Sequence, residues 1–391
     1  MLSKSIDTSF DIITKILIFA VINNYNLYIM KKTIITLLWL SCSLSIIGQT
    51  TETPSDTTMK KNESQQARRR PRFDSHHPDV HDPVMARGED GRYYIFATGM
   101  GVSVMSSADM KEWQFEAPVL LQAPTWAMDT VRGYRGHTWA PDIYYADGLW
   151  HLYYSCSTFG KNGSAIGHAV NKTLDTKSPK FGWEDKGMVI ASHRGKDNWN
   201  AIDPNLIVNH RGIPYLTFGS FWDGIQLIRL SKEDYQTPVT TPTTIARRYG
   251  KRYINGKPNN FTIEGNDTIE AGENAIEAPF IYKHGKYYYL FVSFDYCCRG
   301  DNSTYKTVYG RAKRIEGPYY DKEGRRMDEG GGSYLYGPDQ DNYGIGHCSV
   351  YDFDGQVYIV AHAYEKAHNG RAKLFIRPLH FDKQGWITTG K

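Results

Sequence analysis

A glycine followed by an aromatic-rich, alternating run occurs five times between residues 91 and 362. The copies run from Gly91 to Thr98, Gly148 to Ser155, Gly212 to Gly219, Gly285 to Ser293 and Gly355 to His362. Glycine supplies the positive φ of a tight turn, and the run after it has the β-branched and aromatic content of a strand buried on one or both faces. Upstream of each glycine lies a short apolar segment carrying one polar residue. These are Asp82, Asp142, Asp203, Glu277 and His347, spaced by 60, 61, 74 and 70 residues. Further strand-like runs follow, such as 101–105, 225–230, 307–312 and 373–379, and helical periodicity is nearly absent. Such repetition predicts an all-β chain folded as a five-bladed β-propeller. The innermost strands of a propeller face one axis, so the five polar positions would meet although 265 residues separate the first from the last. A two-sheet sandwich would require no such meeting.

The copies fill residues 76–391, the expected propeller domain. Ahead of them, Met30-Lys31-Lys32, the apolar stretch Thr33–Trp39 and the small residues near Gly48 read as a signal peptide. Residues 1–49 are therefore a targeting segment, with 1–29 as an upstream extension before the true start. Two membrane anchors at 12–22 and 34–47 are the alternative, but Asn23, Asn24 and Asn26 interrupt the first. Trp39-Leu40-Ser41 before Cys42 is a poor lipoprotein box. Residues 50–75 are Thr, Ser, Gln, Lys and Arg with almost nothing apolar, a disordered linker in which Arg68–Arg70 is a solvated run. The expected product is secreted, periplasmic or held at the cell surface, with no membrane span in the mature chain, and monomeric.

An aromatic share of 14 %, with 28 Tyr, supplies ample core area, and a formal charge of +4 over 391 residues does not suggest nucleic acid. Beyond the signal, Cys156, Cys297, Cys298 and Cys348 make neither a disulfide scaffold nor a zinc spacing, and Cys297-Cys298 read as two free, partly buried thiols.

Asp82, Asp203 and Glu277 meeting with His347 at one end of the channel cannot all ionise cheaply, so one must hold a proton. Glu277, between Ile276 and Ala278, is the candidate acid. Asp82, beside His81 and Pro83 in a more polar setting, should stay ionised. An acid and a base facing each other across a pocket suit cleavage of a glycosidic bond, and a gap of roughly 6.5–9.5 Å leaves room for a water and gives inversion. Trp139 and the pair Phe221-Trp222 are either sugar platforms or core. Ser106–Trp113 reads as a hairpin turn with Trp113 packed between blades.

His81-Asp82-Pro83, Trp139-Ala140-Pro141-Asp142, Ile202-Asp203-Pro204-Asn205 and Glu277-Ala278-Pro279-Phe280 together resemble the family 43 glycoside hydrolases, inverting enzymes on five-bladed propellers. Residues 218–225, 291–300, 302–305 and 346–349 bring the resemblance nearest to the endo-1,5-α-L-arabinanases, over about 76–386. It implies that Asp82 is the general base and Glu277 the general acid, with Asp203 raising the acid's pKa and orienting it. It implies that His347 lies by a calcium ion held mostly through water. It also implies substrate contacts at Asn200, Ala201 and Ile202, a groove lined by Ser220, Phe221 and Trp222, and stacking on Trp139. Cys348 departs from the asparagine or glycine common after that histidine, and the long loop 247–274, with Tyr249, Tyr253 and Phe261, could reshape the groove.

The implied activity is cleavage of internal α-1,5-L-arabinofuranosidic bonds in arabinan. An exo-acting α-L-arabinofuranosidase or a β-xylosidase of the same family is the alternative. A binding propeller without turnover is disfavoured by the three carboxylates. A retaining, invertase-like propeller would need Arg-Asp-Pro and Glu-Cys motifs that the chain lacks.

Overall fold

The structure, a computed structural model, describes residues 73–249 and 274–389. The signal segment, the linker up to residue 72 and loop residues 250–273 (Tyr253 and Phe261 among them) lie outside the described residues.

The described chain is all-β, and its one α-helix, Thr125–Thr130, is six residues long. Its strands form five successive antiparallel meanders. The first comprises Val84–Arg87, Tyr93–Ala97, Ser103–Ser107 and Gln114–Glu116. The second runs His137–Ala146, Leu149–Cys156, Ser164–Asn171 and Glu184–Ser192, with Gly99–Met100 added at its edge. The third is Asn205–Val208, Pro214–Phe218, Ile225–Arg229 and Thr243–Ala246. The fourth is Ile276–His284, Tyr287–Phe294, Lys306–Ala312 and Ser333–Tyr336, and the fifth Asn342–Phe353, Gln356–Glu365, Arg371–Phe381 and Ile387–Thr388. A single parallel pairing, Lys306 with Ile345, joins the last two into one sheet.

Each repeated glycine turns the first strand of its meander into the second. Asp147-Gly148 and Asp354-Gly355 hold positive φ at both turn residues (48° and 77°, 55° and 84°), the geometry whose twist matches antiparallel strands.

The first strands pack against one another in chain order, and that of the fifth meander packs against that of the first. The apolar side chains follow the same circuit. One cluster fills each of the four gaps between consecutive meanders. A further cluster, containing Val80, Met85, Ile95 and Val360, lies between the fifth and the first, with Trp113 buried in it at the predicted position. Most of the largest enclosed side chains are aromatic, including Tyr153, Tyr289 and Phe291. Truncating one such ring to alanine costs about 3–5 kcal/mol. Residues ahead of the first strand extend the fifth sheet: the Val80 amide donates to the Ala372 carbonyl and the Leu374 amide to the Pro78 carbonyl, each at 3.1 Å. Cys297 and Cys298, expected to be free and partly buried, form no disulfide, and Cys298 is exposed; Cys156 and Cys348 are free and buried.

Candidate active site

One residue near the start of each first strand is left-handed: Asp82, Ala140, Asp203, Ala278 and His347, with φ of 56°, 40°, 59°, 56° and 48°. The first four precede proline. Such conformations cost about 1–3 kcal/mol each unless the surroundings over-determine them. Here they are held by hydrogen bonds from the preceding meander. The Ala140 amide donates to Thr98 Oγ1 (2.8 Å), the Asp203 amide to Ser155 Oγ (3.0 Å) and the His347 amide to Ser293 Oγ (2.8 Å). The Asp82 amide donates to His362 Nδ1 (3.1 Å), from the last meander back to the first. At the remaining junction Gly219 offers no side chain, and the Ala278 amide donates instead to Asp203 Oδ2 (3.1 Å). The four acceptor side chains are the terminal residues of four of the repeated runs.

This register corrects the expected fivefold set. The equivalent positions are 82, 140, 203, 278 and 347. Glu277 stands one residue before its left-handed neighbour, as Trp139 does in the second meander, and Asp142 stands two residues after. Asp142 therefore does not join the other carboxylates. Its Oδ2 accepts hydrogen bonds from the Leu206 amide (2.6 Å) and Asn205 Nδ2 (3.2 Å), and burial pushes its carboxyl up to about 7. It lines a cavity of about 520 Å³ formed further along the first strands of all five meanders.

Asp82, Asp203, Glu277 and His347 do come together. His347 Nδ1 lies 2.9 Å from Asp82 Oδ1, and Thr98 Oγ1 donates to Asp82 Oδ2. Burial opposes charge on both partners, but their attraction and hydrogen bond outweigh it. His347 is raised to about 9 and Asp82 falls well below the carboxylate range. Asp82 is thus ionised chiefly because of a partner 265 residues away, with smaller contributions from His362 and from the adjacent His81. Burial pushes Asp203 up, and the charges of Glu277 and Asp82 push it further against His347. Burial likewise raises Glu277, against a 2.7 Å hydrogen bond donated by Ser220 Oγ to its Oε2. Burial therefore pushes both carboxyls towards the protonated form.

The expected substrate residues divide. Ser220 is buried and bonds to the acid itself. Asn200 is 3 % exposed, its Oδ1 accepting from Ser164 Oγ, and Ala201 is fully enclosed, its amide bonded to Ser192 Oγ. Together with Ile202, 8 % exposed, they pack beneath the Asp203 turn. Trp222 is 4 % exposed and packs with the core, the second of the two readings its sequence position allowed. Trp139 and Phe221 remain half-buried with surface available; Phe221 lies 6.0 Å from Tyr296, and Trp139 Nε1 donates to His137 Nδ1. Thr98, Ser155, Ser293 and His362 were not singled out in the sequence, although each closes a repeated run.

Calcium takes six to eight oxygen ligands. Around His347 the chain offers Asp82 and the imidazoles of His81 and His362, a nitrogen-rich set with one carboxylate already paired. With Nδ1 of His347 turned to Asp82, Nε2 becomes a ligand once it gives up its proton, a carboxylate–histidine arrangement that fits an ion keeping most of its own waters.

A buried constellation with one carboxyl favoured ionised and another favoured protonated, built from strands far apart in sequence, suits a glycoside hydrolase site. The comparisons agree. The profile of the glycosyl hydrolases family 43 matches residues 76–387, and the chain belongs to that family. It is 46 % identical, over 79 % of its length and 85 % of the relative's, to the "Extracellular exo-alpha-(1->5)-L-arabinofuranosidase ArbA" of Cellvibrio japonicus. It is 40 % identical to the "Extracellular endo-alpha-(1->5)-L-arabinanase 1" of Bacillus subtilis, over 78 % of this chain and 86 % of that one. The crystal structure of an exo-1,5-α-L-arabinanase from a bovine ruminal metagenomic library superposes with a TM-score of 0.75 at 56 % identity, covering 82 % of this chain and all of that one.

Proposed function

We propose that the protein is an inverting arabinan hydrolase that cleaves internal α-1,5-L-arabinofuranosidic bonds. The observation that carries the chemistry is the opposite proton affinity of two carboxyls in one ring: Asp82 held ionised by His347, Glu277 raised by burial. Asp82 takes a proton from a water as that water attacks the anomeric carbon. Glu277 gives its proton to the departing glycosidic oxygen, and Asp203, bonded to the amide beside Glu277, holds the acid in place. A calcium ion taken up at His347 Nε2 would displace the proton there and supply, in place of the imidazolium, the positive charge near the ionised base.

Substrate identity rests on the relatives, all of them named for α-1,5-arabinan cleavage. Internal cleavage is supported by the Bacillus relative, and cleavage from chain ends by the other two, so both readings stand on a specific likeness. The five meanders, their circuit of apolar clusters and the junction hydrogen bonds support a five-bladed propeller. Export behind a signal peptide is supported by relatives named extracellular. No helix among the described residues is long and apolar enough to cross a membrane. We also infer a monomer.

The test is hydrolysis of linear, debranched arabinan compared with arabinoxylan and nitrophenyl glycosides. A ladder of oligosaccharides marks internal cleavage, and monomer or one short product marks an exo enzyme. Glu277→Ala should abolish turnover with the melting temperature preserved, and retained activity in that variant would remove the acid assignment.

A further inference from the structure

We propose that His77, Glu365 and His368 form a binding site for a divalent transition-metal ion, at the seam where the segment before the first strand joins the fifth meander. His77 Nε2 lies 2.9 Å from Glu365 Oε1, and His368 Nδ1 lies 2.8 Å from Glu365 Oε2. One ligand atom from each residue falls within 4.8 Å of the other two. The two imidazoles meet edge to face, their centroids 5.1 Å apart. All three side chains are partly shielded from solvent, at 35 %, 20 % and 37 % exposure.

The backbone positions each ligand independently. His77 is held by its amide bonds to Asp74 and by Lys373 Nζ on its carbonyl. Glu365 ends a strand and pairs with Arg371 across the ladder. His368 closes the 3-10 turn Lys366–His368, which the left-handed Asn369 and the Gly370 amide bonded to the Glu365 carbonyl bring back onto the sheet. The neighbouring cations are engaged elsewhere: Lys373 and Arg371 with Asp79, Lys366 with the Asp339 carbonyl. Glu365 therefore faces imidazoles rather than a lysine or arginine.

Two imidazole nitrogens with one carboxylate suit zinc and its neighbours rather than calcium or magnesium, which take oxygen sets. Water fills the remaining positions. The ligands are 288 and 291 residues apart in sequence, so a bound ion cross-links the two ends of the described fold. Metal bound only to the folded state stabilises it by mass action.

The full chain, stripped with a chelator and dialysed, is titrated with zinc by calorimetry and by thermal unfolding. One zinc per chain is expected, with a melting temperature about 5 °C higher at a hundredfold excess over Kd. His77→Ala and His368→Ala should lose that shift, and Glu365→Gln should weaken binding at least about tenfold, all with arabinan hydrolysis unchanged. The cluster His81, Asp82 and His362 is the other place zinc could go, and binding there would inhibit hydrolysis and persist in the His77 and His368 variants. That result, or no stoichiometric zinc in the wild type, overturns the proposal. X-ray absorption at the zinc edge of the wild type gives a readout independent of any variant's folding: two imidazoles are expected, and fewer would also overturn it.

Discussion

Ser220 was expected to line the groove, yet its hydroxyl reaches the proposed acid, 2.7 Å from Glu277 Oε2, with both side chains largely enclosed. A hydroxyl donated to a carboxylate favours the charged form and so works against the burial that raises Glu277. A hydrogen bond to a charged group is worth about 1.5–3 kcal/mol, and about 1.4 kcal/mol is a tenfold change in a proton equilibrium. Ser220→Ala should therefore move the alkaline limb of the rate profile to higher pH by about one to two pH units. The sign follows from the chemistry: activity requires Glu277 protonated, and the variant holds that proton longer. On the plateau the rate should fall by about tenfold, from a weaker acid that is less well oriented. The assay is kcat and KM on debranched arabinan from about pH 4 to pH 10, with melting temperatures recorded at each pH. A limb that stays put or moves down refutes the reasoning. A raised KM with an unmoved limb would instead make Ser220 a substrate contact.

The wild-type enzyme should keep its activity on the acid side, because His347 holds Asp82 ionised there, and lose it as rising pH deprotonates the Glu277–Asp203 pair; a pH profile on linear arabinan checks both limbs. Thr98→Val keeps the shape but removes the donor to Asp82 and the acceptor for the Ala140 amide. It should cost about 3 kcal/mol in urea unfolding, together with a lower kcat. Asp142→Asn should leave kcat unchanged. A buried carboxyl raised to about 7 binds more protons folded than unfolded, so wild-type stability falls as pH rises from about 4 towards 7, and the variant should flatten that slope in denaturant titrations. Chelation should lower the melting temperature if calcium sits at His347, and readdition of calcium should restore it.

The repeat was legible because it is written locally. Turn glycines and aromatic alternation recur in each meander, and an X-Pro step in the first four, and each follows from backbone chemistry that needs no distant partner. The same pattern already held the junction hydrogen bonds, since Thr98, Ser155, Ser293 and His362 close four of the runs, but only a fold shows that each reaches a neighbouring meander's amide. Asp142 shows the limit of spacing. It sits within a residue or two of the repeating position, yet a strand alternates its side chains and a bulge shifts them, so it faces the far cavity while Glu277 faces the acid–base cluster. Proton affinity was equally beyond the local sequence. Whether a carboxyl is charged depends on what stands a few ångströms away, and the partner that fixes Asp82 arrives from the other end of the chain. Ala201 and Trp222 belong to the same class, because burial is a property of packing rather than of residue type.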